Sequence, residues 1–91
     1  MDIKWAKKAQ SDLARLHDFL AVVNPQAADR VARSLATAPI RLEANPRIGR
    51  RLEQFAPREV RRILIDHYEL RYEITGSTLT VLRVWHTRED R

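Results

Sequence analysis

The sequence predicts an α+β domain of order β-α-α-β-β-β: a small, mainly antiparallel sheet with an N-terminal helical hairpin packed on one face. Three observations carry this. Between Ala6 and Ala38 apolar residues recur every three or four positions, the period of a helix face. From Val60 onward the period drops to two, the signature of strands. Asn24-Pro25 and Thr75-Gly76-Ser77 punctuate the two halves as turns. At 91 residues the chain makes one domain, 1–91, with a modest core.

Asp2 to Trp5 is a short strand with Ile3 and Trp5 on one face. Ala6, Ala9, Leu13, Leu16, Leu20 and Val23 then form the apolar stripe of a first helix, with Lys7, Lys8, Gln10, Asp12 and Arg15 mainly opposite. Proline disfavours helical geometry in the residue before it, so this helix stops at Asn24. Asn24 caps the next helix and Pro25 occupies its first turn. Ala28, Val31, Ala32, Leu35 and Ala38 line that helix, and Pro39 is expected to kink or end it. So short a connection makes the helices antiparallel neighbours.

Asn45 to Pro57 has no clean period and is expected to be a flexible loop carrying Arg47, Arg50 and Arg51. In the following strand Val60, Arg62 and Leu64 share one face and Arg61, Ile63 and Ile65 the other. Asp66-His67 makes a two-residue turn. Tyr68, Leu70, Tyr72 and Ile74 alternate with Glu69, Arg71 and Glu73, as in a half-buried antiparallel strand. After the turn at Gly76, Leu79, Val81, Arg83 and Trp85 alternate with Thr80, Leu82, Val84 and His86. Both sets are largely apolar, which predicts a central strand covered on both sides.

Composition narrows the function classes. Seventeen basic residues against twelve acidic ones give +5, and fourteen of the seventeen are arginine. Arginine suits bidentate contacts to phosphate or carboxylate, and it also simply occupies solvated positions. The charge favours an acidic partner, either nucleic acid or an acidic protein. With no cysteine, neither a disulfide framework nor a thiolate metal site is available. His17, His67 and His86 lack metal-ligand spacing, so no metal or cofactor is expected. The N-terminus lacks an apolar signal segment and no run approaches membrane-spanning length, so the expectation is a cytoplasmic protein without a membrane partner. Nucleotide-binding and acyl-transfer motifs are absent.

The segments PREVRRILIDHYELRYEI and TLTVLRVWHTRED, after two helices, resemble the RelE/ParE superfamily of type II toxin–antitoxin toxins over essentially the whole chain. The most specific parts are Tyr68-Leu70-Tyr72 and the block Leu82 to Asp90. The resemblance implies a bacterial toxin neutralised by a cognate antitoxin in a hetero-oligomer. The antitoxin is expected to lay an amphipathic helix along the hairpin at Leu13, Leu16, Leu20, Val31 and Leu35, and to extend a strand along a sheet edge.

Two chemistries divide the superfamily. RelE-type members cleave mRNA on the ribosome. In this sequence such a site would use His86 as acid or base, with Arg83 and Arg62 or Arg61 steadying the phosphorane. ParE-type members poison DNA gyrase and have no established hydrolytic site. Leu64 falls where RelE-type enzymes carry an arginine, and the sequence reaches Arg91 without their C-terminal tyrosine. The ParE-like reading is therefore favoured, with ribosome-dependent RNase activity, or a non-toxic binding role, as alternatives. Arg61, Arg71, Arg83, His86, Arg88, Arg47, Arg50 and Arg51 are the candidate contacts to target or nucleic acid. A structural salt bridge from Arg83 to Glu73, Glu69 or Asp90 is the competing reading for that residue.

Overall fold

The computed structural model describes residues 1–89. Strand β1 (Asp2–Trp5) leads into helix α1 (Lys7–Val23) and helix α2 (Pro25–Leu42). Next come a two-residue strand β2 (Arg50–Arg51) and a 3-10 turn (Glu53–Phe55). Strands β3 (Glu59–Ile65), β4 (Tyr68–Thr75) and β5 (Thr78–His86) complete the sheet. The sheet has five strands in the order β1-β5-β4-β3-β2. All neighbours are antiparallel except β1, which runs parallel to β5 with Asp2 opposite Thr78 and Trp5 opposite Val81.

Local chemistry explains the joints. The Asn24 side chain accepts the Ala27 N–H at 3.1 Å, and Pro25 opens α2 where a missing N–H costs nothing. Asp66 (φ 55°) and Gly76 (φ 59°) take the left-handed conformations that turn β3 into β4 and β4 into β5. Helix α2 does not end at Pro39 but runs through it to Leu42. Ala38, Pro39 and Leu42 are all buried, so packing offsets the lost hydrogen bond.

The core lies between the hairpin and one sheet face. Ala9, Leu16, Leu35, Ala38 and Leu42 meet Tyr68, Leu70, Tyr72, Ile74, Leu79, Val81 and Val84 there. The hairpin stripe differs from expectation at both ends. Val23, with Phe19 and Val22, points into solvent, and Asp12, assigned to the solvent side, is 5% exposed.

Strand β5 also departs from strict alternation. Tyr72 pairs with Val81 but Arg71 pairs with Arg83, leaving Leu82 as a bulge. Past it, Val84 joins Leu79 and Val81 in the core, while Arg83 and Trp85 fall on the opposite, open face. Strand β5 is interior, between β1 and β4, with β4 in the middle of the sheet.

Candidate functional site

Strand β1 pairs with β5 only as far as Val81, where Ala6 N–H donates to the Val81 carbonyl and the chain turns into α1. The remainder of that β5 edge needs another backbone partner, and Asp12 supplies it. Its carboxylate accepts the Val84 N–H at 2.9 Å and Arg83 Nε and Nη2 at 2.8 and 3.1 Å. Burial alone would raise the Asp12 pKa. The Arg83 hydrogen bonds, the Val84 N–H and Arg15 at 3.5 Å outweigh it and hold the carboxyl below its ordinary value. The Arg83 partner is therefore Asp12. Glu73 is bound by Arg58 through two 2.9 Å bonds, and Asp90 lies outside the described residues.

On the open face the bulge lines up a stack. The Arg71 guanidinium lies 5.4 Å from the Phe55 ring and 4.8 Å from Trp85, and Arg83 lies 5.3 Å from the same Trp85 ring. Below it Glu69, 2% exposed, holds Arg71 at 3.3 Å and Arg62 at 3.4 Å. Arg71 and Arg62 are thus held by the sheet's own carboxylate and rings.

Beyond β5 the chain folds back on α1. Glu89 accepts the His86 N–H at 2.7 Å and is gripped by Arg15 at 2.6 Å. His86 Nδ1 accepts the Arg88 N–H at 3.1 Å, which leaves the proton of a neutral ring on Nε2. The ring packs edge-on against Tyr68 and stacks on His67. His86 borders a cleft of about 670 Å³ formed with Arg15, Phe19, Leu20 and Tyr68.

The segment expected to be a flexible loop is instead pinned. Tyr72, in the core, donates to the Pro46 carbonyl at 2.7 Å and accepts the Gly49 N–H at 3.1 Å. Arg61 donates to the carbonyls of Arg47 and Gly49, and Glu59 ties Arg61 and Arg47 together at 2.9 Å each. Side chains at Arg50 and Arg51 are therefore presented from an ordered edge strand.

These contacts sort the candidates. Arg47, Arg61, Arg62, Arg71 and Arg83 make ion pairs within the domain; Arg51 reaches Glu53 only at 3.9 Å, and Arg50 and Arg88 make none among the described residues. Of the proposed antitoxin contacts, Leu16 and Leu35 are spent in the core, with Leu13, Leu20 and Val31 packed half-buried against it. Exposed apolar side chains include Phe19, Val22 and Val23 on α1, Ile40 on α2, and Ile48 and Leu64. Ile48 and Leu64 flank a groove of about 540 Å³ between the end of α2 and the β3 edge, floored by Ala38, Leu42, Ile63 and Ile65 and edged by Arg41, Arg50 and Arg62. Among the described residues no three His, Asp or Glu side chains converge as a metal site requires, and no helix is long and apolar enough to cross a membrane.

Asp12, Arg15 and Glu89 were not singled out as site residues from sequence. Asp12 had one available signal: Ala9, Asp12 and Leu16 sit at i, i+3 and i+7, on one helix face.

Comparison with known proteins fits this architecture. The family described as the ParE toxin of the type II toxin–antitoxin system parDE matches residues 3–91. Toxin RelE2 of Caulobacter vibrioides is 30% identical over 84 residues, 92% of each chain. Toxin ParE1 of Mycobacterium tuberculosis is 39% identical over 64 residues, 69% of this chain and 64% of that one. A solved structure of the chromosomal ParDE system from P. aeruginosa superposes with a TM-score of 0.76 at 25% identity, covering 94% of this chain and 95% of that one. A family match across nearly the whole chain, joined to the shared fold, places the protein in the ParE family as the toxin of a type II toxin–antitoxin system.

Proposed function

We propose that this toxin poisons DNA gyrase by stabilising its cleaved-DNA complex, and that it is not an mRNA endonuclease. The observation that carries this reading is the division of the RNase candidates between two faces. Tyr68 and Val84 are core residues, and His86, opposite Tyr68, lies on their side of the sheet. Arg62 lies on the open side, bound to Glu69. An acid–base group and a phosphate-stabilising cation must both reach one scissile phosphate, and here the sheet separates His86 from Arg62. Arg83 is bound by Asp12, and Arg61, on the His86 side of the sheet, is held by Glu59 and the carbonyls of Arg47 and Gly49.

The test pairs two assays on the same preparation. Gyrase with supercoiled plasmid is expected to accumulate protein-linked DNA breaks as toxin is added. A translating extract is expected to keep its mRNA intact. Cut mRNA without gyrase-linked breaks would reverse the assignment.

The antitoxin partner that the family supplies is proposed to dock at the groove beside β3 rather than on the hairpin leucines. The β3 edge at Ile63–Ile65 extends past the two-residue pairing with β2, and Leu64 is 59% exposed beside it. Leu64→Glu is expected to weaken antitoxin binding in calorimetry, while Phe19→Glu, at the other cleft, leaves it intact.

A further inference from the structure

The ion pairs divide the arginines in a way that points to a second surface. Among the described residues, Arg30, Arg33, Arg41, Arg50 and Arg88 make no ion pair. Three of these five lie on α2. At about 100° per residue, Arg30, Arg33 and Arg41 fall within a sector of about 80°, on the side away from buried Ala28, Leu35 and Leu42. Helix α2 holds one acidic residue, Asp29, and its carboxylate is turned to His17 of α1 at 2.9 Å. The outward face is thus cationic, its nearest acid on the helix, Asp29 (four residues before Arg33), pairing with His17 and not with an arginine. Between the arginines lie Ser34 and Thr37, the Thr37 hydroxyl bonded back to the carbonyls of Arg33 and Ser34. Arg50 continues the charge across the groove that Arg41 borders.

We infer that this outer face of α2 is a contact surface for the phosphate backbone of duplex DNA, with Arg30, Arg33 and Arg41 as the phosphate-binding side chains. The chemistry selects this partner. Protein interfaces need a desolvated apolar or aromatic centre, and this stripe has none between its arginines; Ile40 flanks it on one side only. Phosphate contacts need only forked cations spaced along a rigid element. From Arg30 to Arg41 the helix advances about 16 Å, the length over which one DNA strand presents about five phosphates. The sheet's arginines, held by Glu59, Glu69, Glu73 and Asp12, are less free to supply such contacts.

The inference deepens the gyrase reading, in which the toxin acts where cleaved DNA is held. It is tested without gyrase, so the two can fail separately. The binding of a fluorescent duplex of mixed sequence to purified toxin is followed by anisotropy across salt. Three phosphate contacts predict a slope of log affinity against log salt of about −2.7 from this face, or about a 40-fold fall between 50 and 200 mM. The Arg30→Gln/Arg33→Gln/Arg41→Gln variant is expected to lose most of that slope. An equal charge change on the other elements, Lys4→Gln/Lys7→Gln/Lys8→Gln, is expected to leave most of it. Circular dichroism melting of each variant establishes that both remain folded. Equal losses in the two variants would overturn the inference, as would an unchanged slope in the arginine variant. So would loss of antitoxin affinity in that variant with DNA affinity unchanged, which would assign the stripe to an acidic protein.

Discussion

Replacing Asp12 by alanine tests the join between the hairpin and the end of β5. The substitution removes the acceptor of the buried Val84 N–H and the carboxylate that holds Arg83. An orphaned buried N–H costs about 1–3 kcal/mol. The Arg83 side chain is 41% exposed, so water recovers most of its loss and the pair adds no more than about 1 kcal/mol. The sum, about 1–4 kcal/mol, lowers the melting temperature of a domain this small by about 4–30 °C. Asp12→Asn keeps an acceptor for Val84 and is expected to lose about a third as much. The pH dependence has a definite sign. A carboxyl held low in the folded state stabilises at pH above about 4 and loses that contribution as pH falls through the folded value. The stability gap between parent and Asp12→Asn should therefore close below pH 4 in urea titrations. An Asp12→Ala protein melting within about 4 °C of the parent would refute the account of Asp12 as the missing strand partner.

Three further outcomes are expected. A Cβ at Gly49 would sit 2.5 Å from the Tyr72 hydroxyl and 2.8 Å from the Arg62 carbonyl, so Gly49→Ala should cost about 1–3 kcal/mol in urea denaturation, and Tyr72→Phe about 1–2 kcal/mol by losing both hydroxyl bonds. The Asp29 hydrogen bond, helped by Asp18, raises the His17 pKa above 6.5. Its stabilisation is complete below pH 6.5 and fades as pH rises through the folded value, so NMR should show the His17 midpoint falling in Asp29→Asn, and the melting difference between the two proteins shrinking from pH 6 to pH 8. Glu89→Gln weakens the grip of Arg15 and should speed hydrogen exchange at His86, whose N–H it accepts, while moving the melting point by only a few degrees.

Features written in adjacent residues were legible from sequence, and features written across the chain were not. Asn24-Pro25, Asp66-His67 and Gly76 each carry their conformation locally, and the structure uses all three as expected. The arm at Arg47–Arg51 has no local period, because its restraints come from Tyr72, Arg61 and Glu59, far along the chain. Asp12 and Arg83 stand 71 positions apart. The stripe read from sequence puts Asp12 on the polar side of α1, so no local signal links it to Arg83. Simple alternation groups Arg83 and Trp85 with Leu79 and Val81, whereas the bulge puts them on the other face. Val81-Leu82-Arg83-Val84-Trp85 has an apolar residue available for the core in either register, so only pairing with β4 decides it.

The bulge at Leu82 has an evolutionary corollary. Counting every residue from Val81 assigns Trp85 to the core and His86 to the open face, the reverse of what is observed. Omitting Leu82 from the count recovers the observed layout. Losing that codon would thus straighten β5 while leaving Arg83, Trp85 and His86 on their present faces, and regaining it would restore the bend. Insertions and deletions at this point are silent with respect to which surface the last side chains occupy. Relatives of different length can therefore keep one arrangement of the terminal residues, and a gapless alignment of their final strands will assign those residues to the wrong side of the sheet.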